Sequence, residues 1–303
     1  MIKPVTPKID RSHPLARGLV GAWPLFERGG STAHDISGNG LNGTITSAPW
    51  DVSPYGPSLD FDGTGNHYVT VADHSKLDIT QAVTVECWFK PDAVINNIDG
   101  FVTKDQAYML YVEHGGVAPD LEFYVYVSGS WYSTGSNWTP PLGEWCHAVG
   151  VYDGAYQYIY ANGVLLSKVA RTGSINTNSN PLVFGRYPTI TNRALNGAIG
   201  GVRVWDKPLT YREILDLYIN PWRMYDVHRL FGLSKPFETF GSGAPTITGS
   251  GNISRVFPVL TESELANGDI FYWHAADAEF KRLPIGSTGE TLTVSAGGLP
   301  EWS

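Results

Sequence analysis

The sequence predicts an all-β protein: an antiparallel β-sandwich with one short helix, followed by a small C-terminal β unit. Three observations carry that prediction. Charged residues make up only 17% of the chain, while Gly (34), Tyr (16) and Trp (10) are plentiful. That composition suits turn-rich, aromatic-lined sheets better than helices. Short alternating apolar runs separated by Gly, Asn, Asp and Pro extend from about Gly18 to Trp222, the pattern of a sandwich. A single stretch, "LTYREILDLYIN", carries helix boundaries, with Thr210 as N-cap, Glu213 three residues on, and Pro221 past the end.

In chain order, residues 1–17 read as a polar, proline-punctuated N-terminal arm and 18–222 as the sandwich. Residues 223–251 read as an irregular linker, rich in Gly, Ser and Pro, and 252–303 as a C-terminal β unit used for oligomerisation. Within the sandwich the "SGNG" and "NGT" stretches at Asn39 and Asn42 are turn chemistry. The expected strands are "SLDFDG", "HYVTVA", "AVTVECWFKP", "GFVTK", "YMLYVE", "LEFYVYVSG", "EWCHAVGVYDG", "YQYIYANG", "PLVFGR" and "GAIGGVRVWDKPL". "YQYIYANGVLL" is a hairpin, because Asn162-Gly163 supplies the two positive-φ positions of a type I′ turn. Trp88, Trp145 and Trp205 are expected to fill the gap between the sheets. Cys87 falls in phase with Val83, Val85 and Phe89, whereas Cys146 is in phase with Ala148 and Gly150 and opposite to Val149 and Val151. The two thiols are therefore expected on opposite faces of neighbouring strands, free and structural.

Bulk properties exclude several functions. A net charge of −8 opposes an electrostatic footprint for nucleic acid or anionic lipid. No apolar run approaches the ~20 residues a membrane helix needs. The N-terminus lacks the basic-then-apolar layout of a signal peptide, so a soluble protein made in a cytoplasm is expected, and the sequons at Asn42, Asn137 and Asn252 read as chance. No nucleophile elbow and no His-Glu-x-x-His zinc motif occurs, and His34, His67, His74 and His114 lie scattered in loop contexts.

The stretches "GLVGAWPLFERGGSTAHDISGNGLNGT", "SLDFDGTGNHYVTVADHSKLDITQAVTVECWFKP", "GEWCHAVGVYDGAYQYIYANGVLL" and "GAIGGVRVWDKPLTYREILDLY" together carry a resemblance. Over residues 18–222 the chain resembles a laminin-G-like jelly roll of the concanavalin A-like lectin/glucanase superfamily, to which the pentraxins also belong. Hydrolytic members place carboxylates as Glu-x-Asp-x-x-Glu on one strand, so that a pair flanks the scissile glycosidic bond. Here Asp120 and Glu122, or the lone Glu86, lack the third acid, and no catalysis is expected. The pentraxin resemblance puts Asp105 and Gln106 on calcium-ligand positions, but Arg186, Tyr187 and Pro188 stand where the second set of carboxylates belongs. A pentraxin-type double-calcium site is therefore not expected. A single structural calcium at Asp35, Asp62 or Asp105 is the residual metal reading, with Asx-turns as the equal alternative.

Glycan binding is what the resemblance implies, and it needs exposed rings beside amides or hydroxyls. The stretch "FYVYVSGSWYSTGSNWTP" supplies Tyr126, Trp131, Tyr132 and Trp138. Phe123, Val125 and Val127 share one face and Tyr124 and Tyr126 the other, while Trp131 and Tyr132, placed together at a hairpin tip, are the leading surface candidates. Packing against a neighbouring subunit or loop is the competing reading of the same rings.

The C-terminal "GDIFYWHAADAEFKRLPIGSTGETLTVSAGGLPEWS" is similar to tails of tailed-bacteriophage fibre and structural proteins. "KIDRSHPLARGLVGAW" and "LYINPWRMY" are likewise similar to phage-encoded members of the sandwich family. The resemblance implies a non-enzymatic virion protein, a fibre, spike or capsid decoration, assembled as a homotrimer with other virion proteins and possessing a host-glycan-binding head. Ile270, Phe271, Trp273, Phe280, Leu283, Leu292 and Trp302 exceed what so small a sheet buries on one face, which suits oligomerisation. The alternatives are a bacterial lectin-like module and a polysaccharide depolymerase.

Overall fold

The computed structural model describes residues 8–225, apart from 54–55, 94–97, 114–118 and 191, and then 270–274, 279–283, 292–294 and 300–302. His114, the Asn252 sequon, the linker from 226 onward and the turns of the tail lie outside these residues, as do the side chains of the tail strands. Two compact units divide the chain, Met1–Pro236 and Phe237–Ser303.

The first unit begins with β1 (Leu19–Trp23), β2 (Thr32–Ala33), β3 (Gly43–Thr46), β4 (Trp50–Ser53), β5 (Gly56–Asp62) and β6 (Tyr68–Val71). Then come β7 (Val83–Ala93), β8 (Ile98–Lys104), β9 (Tyr108–Glu113), β10 (Asp120–Val127), β11 (Ser130–Gly135) and β12 (Cys146–Tyr152). A last group, β13 (Tyr156–Ala161), β14 (Val164–Ala170), β15 (Leu182–Phe184) and β16 (Asn196–Trp205), precedes helix α1 (Tyr211–Ile219). They make two antiparallel sheets. The first runs β14-β13-β12-β7-β16-β5-β4, with β1 also on β16, and the second runs β11-β10-β9-β8-β15-β6-β3-β2.

Trp23, Phe61, Phe89, Phe101, Phe123 and Phe184 fill the space between the sheets. The Phe123 ring presses on the bare backbone of Gly150, where an added Cβ would come within 2.1 Å of it. That contact explains why the inner face of β12 consists of Cys146, Ala148 and Gly150, while Val149 and Val151 point outward into a second cluster. The expectation that the two cysteines occupy opposite faces is therefore wrong. Cys87 stands opposite Ala148 and Cys146 opposite Phe89, so both face the core. They remain free and buried because the register sets them diagonally, about 7–8 Å apart, beyond disulfide reach. Burial pushes both thiols up, Cys146 to about 12.

The outer face of the first sheet is closed by the chain itself. Ile9, Leu15, Trp205, Leu209, Ile214, Leu217, Met224 and Tyr225 are buried together on it. Residues 8–17 thus pack down rather than project, and the ordered packing continues through Tyr225. Trp88 and Trp205 belong to this side and not to the gap between the sheets. Trp205 donates its indole N–H to the Leu15 carbonyl at 2.8 Å, and Trp88 stacks on His147 at 4.8 Å. Trp145 is half-buried, close over Gly200. Helix α1 starts as its sequence dictates: the Thr210 hydroxyl accepts the Glu213 N–H, and the Glu213 carboxylate accepts the Thr210 N–H. The hairpin turn at Asn162-Gly163 has φ of 49° and 77°, both positive as type I′ requires.

The described residues of the second unit form two ribbons. β17 (Ile270–His274) pairs with β18 (Glu279–Leu283), and β19 (Leu292–Val294) with β20 (Pro300–Trp302). The register sets Ile270 opposite Leu283, Trp273 opposite Phe280 and Leu292 opposite Trp302.

Candidate functional site

Among the described residues, α1 and residues 8–17 pack over the first sheet, whereas on the outer face of the second Met109 and Tyr111 of β9 are buried with Tyr187 packed against them, and Tyr124, Tyr126 and Trp131 of β10 and β11 stay half-buried. β10 alternates as its sequence reads: Leu121, Phe123, Val125 and Val127 enter the core, and Asp120, Glu122, Tyr124 and Tyr126 stay half-exposed on the other side. Register brings Met109, Tyr111 and Glu113 from β9, and Trp131, Ser133 and Gly135 from β11, onto that same face. The rings form one strip across three strands. Tyr111 stacks on Tyr124 at 4.8 Å, Tyr124 meets Trp131 edge-on at 6.2 Å, and Tyr126 meets Trp131 at 5.0 Å. Offset and edge-on contacts of this kind suit ring quadrupoles and lock each ring in place.

Carboxylates border the strip. The Tyr124 hydroxyl donates to Glu113 Oε2 at 3.0 Å, with the Tyr111 hydroxyl at 3.4 Å from the same oxygen. Glu122 is held above the usual carboxylate range by burial, with Glu113 and Asp120 repelling its charge against the help of the Tyr124 and Ser133 hydroxyls. Asp120 is committed elsewhere: its Oδ1 accepts the Ser136 hydroxyl at 2.5 Å and the backbone N–H groups of Ser136 and Trp138.

The four aromatic residues singled out from the sequence thus divide. Trp131 and Tyr126 touch and belong to the strip. Trp131 and Tyr132 do not form a pair at a tip, because the turn is Ser128-Gly129 (φ 51° and 80°) and the two rings leave β11 on opposite faces. Tyr132 leans partly on the main core beneath the Arg171 guanidinium, 3.7 Å from its ring centroid. Trp138 also packs partly on the core, away from the other three. Glu113 was not legible as part of this site, since its approach to Glu122 depends on the β9–β10 register.

The three calcium candidates each have hydrogen-bond partners within the fold. Asp35 is a backbone clasp, accepting the Ala22, Ser37 and Leu41 N–H groups and the Ser37 hydroxyl at 2.7–3.0 Å. Asp62 closes an Asx-turn onto Thr64. Asp105 accepts the Tyr187 hydroxyl at 2.6 Å, so the loop after β15 does approach the β8–β9 turn but brings a phenol in place of a carboxylate. A hard dication wants six to eight oxygens, and among the described residues no three His, Cys, Asp or Glu side chains gather to supply them.

A family model described as the concanavalin A-like lectin/glucanases superfamily (laminin-G type) matches residues 62–215, just over half of the chain. The chain belongs to that superfamily. Solved structures agree on the lectin-like sandwich. Domain 4 of AbnA, an extracellular arabinanase from Geobacillus stearothermophilus solved in complex with arabinotriose, is 21% identical with a TM-score of 0.54, over 66% of this chain and 98% of that one. The binding domain of Paraclostridial Mosquitocidal Protein 1 gives 14% and 0.55, over 67% and 52%. The receptor-binding domain of botulinum neurotoxin C/D mosaic serotype gives 14% and 0.54, over 67% and 51%. The match spans about half the length of these two toxin domains, and at such identities the likeness is one of fold. No curated protein sequence matches the chain.

Proposed function

We propose that this superfamily member is a non-enzymatic bacteriophage virion protein, a fibre, spike or capsid decoration, whose sandwich binds host-surface glycans through the strip of Tyr124, Tyr126 and Trp131. The strip carries the reading. Its rings are half-exposed and pre-set by their mutual contacts, and Glu113, Glu122 and Ser133 border it with hydrogen-bonding oxygens. Sugar rings are recognised by that combination, with C–H faces on aromatics and hydroxyls on fixed polar groups. The lectin-like sandwich shared with an arabinanase domain solved with arabinotriose supports it. The phage-like "KIDRSHPLARGLVGAW", "LYINPWRMY" and tail stretches support the virion setting. Titration with arabinotriose and a panel of neutral oligosaccharides tests the strip: Trp131→Ala is expected to weaken the tightest of these at least tenfold with the fold kept. Equal binding by variant and wild type removes the strip from consideration.

A second reading, a polysaccharide depolymerase, is favoured by one observation. Glu113 and Glu122 stand diagonally on adjacent strands beside the strip, with Glu122 poised to hold a proton, as a general acid must. The binding reading expects no reducing ends from any polysaccharide in a panel. Release that vanishes in Glu122→Gln would transfer the site to catalysis.

In the same proposal the tail joins three copies. Two-stranded ribbons are marginal alone, and each leaves backbone edges that a neighbouring copy can pair. Ending the chain after Gly249 is expected to leave a folded sandwich of monomeric mass by light scattering. An unchanged mass per particle, in chains, denies the tail this role.

A further inference from the structure

We infer a second binding site, for the carboxylate of a single acidic sugar residue, in the cleft between the Ser128-Gly129 turn and the end of β14. It goes beyond the strip, from which the opposite orientation of Tyr132 separates it. The cleft measures about 220 Å³ and is lined by Val127, Ser128, Tyr132, Ala170, Arg171 and Thr172. Pockets for drug-sized ligands run from about 300 to 1,000 Å³, so this one suits one sugar ring and not a chain.

Arg171 supplies the chemistry. Its guanidinium lies over the Tyr132 ring, with Cζ 3.7 Å from the centroid. A cation–π contact does not use up the N–H donors of a guanidinium, whose fork matches a carboxylate. No carboxylate of the described residues pairs with it, and its buried Nε has no hydrogen-bond partner. Two of the other arginines give a contrast. Arg203 is bound to Glu86 through Nε and Nη2, and Arg186, placed over the Tyr68 ring, donates Nη1 to the Gly65 carbonyl at 2.7 Å although its own Nε is likewise without a partner. A carboxylate entering the cleft would meet the guanidinium, and Ser128 and Thr172 line the cleft beside it with hydroxyls that suit a sugar.

The cleft is also built to stay put. Asn176 N–H donates to the Tyr126 carbonyl and Ile175 N–H to the Thr80 carbonyl, both at 2.9 Å. The Tyr152 hydroxyl donates to the Gly173 carbonyl at 2.5 Å, and the Arg171 backbone N–H to the Ala155 carbonyl at 2.8 Å. Arg171 therefore starts from a fixed position, which lowers the ordering cost of binding.

The test uses the full chain and NMR titration with methyl β-D-glucuronide, its methyl ester, methyl β-D-glucoside and inorganic phosphate. The glucuronide is expected to bind at least tenfold more tightly than the ester or the glucoside, and more weakly as salt rises. Arg171→Gln is expected to abolish that preference and Trp131→Ala to leave it intact. A wild-type chain that prefers phosphate, or shows no preference for the acid over its ester, overturns the proposal whether or not the variant folds. Loss of glucuronide binding in Trp131→Ala, with Arg171→Gln unaffected, moves the ligand to the strip and overturns it as well.

Discussion

Each sheet of the sandwich has an outer face, and both faces carry aromatic rings beside buried or half-buried glutamate. On the first sheet, Glu86 is 1% exposed and lies under the cover made by α1 and residues 8–17 and 221–225. Arg203 approaches it at 2.7 and 2.8 Å and donates Nη1 to the Pro221 carbonyl, while His147 Nε2 sits 2.9 Å from Oε1. Trp88, His147 and Tyr218 stack beside the pair. On the second sheet, Glu113 and Glu122 stand among tyrosines with no cation of the described residues paired to them. Similar residue types thus serve opposite ends. A matched cation turns carboxylate and rings into a sealed joint, and without one the same groups are held only by neutral hydroxyls, which under the proposed function leaves acceptor capacity for a sugar.

Substitutions can break this contrast. The largest effect is expected from Arg203→Met, which strands Glu86 in a buried site and should cost about 3–5 kcal/mol in chemical denaturation. Wild-type stability in that variant would show that the covered face is no more committed than the open one. Trp131→Ala removes two edge-on ring contacts worth ~0.5–1.5 kcal/mol each, so a loss of about 1–3 kcal/mol is expected. A cost matching that of Arg203→Met would mean that the strip is structural after all. Thr210→Ala deletes half of the capping box of α1 and should lower stability by ~1 kcal/mol. No measurable loss would mark the helix as a passenger on the covered face.

The smallest effect carries a sign. Burial raises the Glu122 carboxyl in the fold, so the folded chain keeps a proton that the unfolded chain gives up above about pH 4.3. Folding then binds protons, and stability falls as pH rises through that window. Glu122→Gln should therefore melt higher than wild type at neutral pH, with the gap closing as the solution is acidified toward pH ~4. A variant less stable at neutral pH would mean that the carboxylate is held by a partner, as Glu86 is.

Much of this was legible in local pattern. The alternation of β10 separates Phe123, Val125 and Val127 from Tyr124 and Tyr126 correctly, because one side of that sheet is core and the other open. The Thr210–Glu213 box and the Asn162-Gly163 turn were readable since each depends only on near neighbours. Period-2 reasoning failed on β12, where both faces are covered, so apolarity no longer marks the inside. Val149 and Val151 looked like core while Cys146, Ala148 and Gly150 faced it. The same double cover misplaced Trp88 and Trp205. Pairings such as Glu86 with Arg203, or Arg171 over Tyr132, join residues whose separation in the chain carries no periodic signature, and only strand register brings them together. Short strands such as β2 and β3 escaped notice because their Thr- and Gly-rich residues read equally well as turn.

Ile9 pairs with Tyr225 in an isolated antiparallel bridge, and the Asp10 N–H donates to the Met224 carbonyl at 2.9 Å. The polypeptide thus enters and leaves the sandwich side by side. In mechanical terms the two ends of the described sandwich share a latch. Tension on the flanking segments loads that latch in an unzipping geometry, one contact at a time, and does not run lengthwise through either sheet. A pull on the chain is therefore expected to strip the cover of the first sheet before it reaches the strands that hold the Tyr124–Trp131 strip.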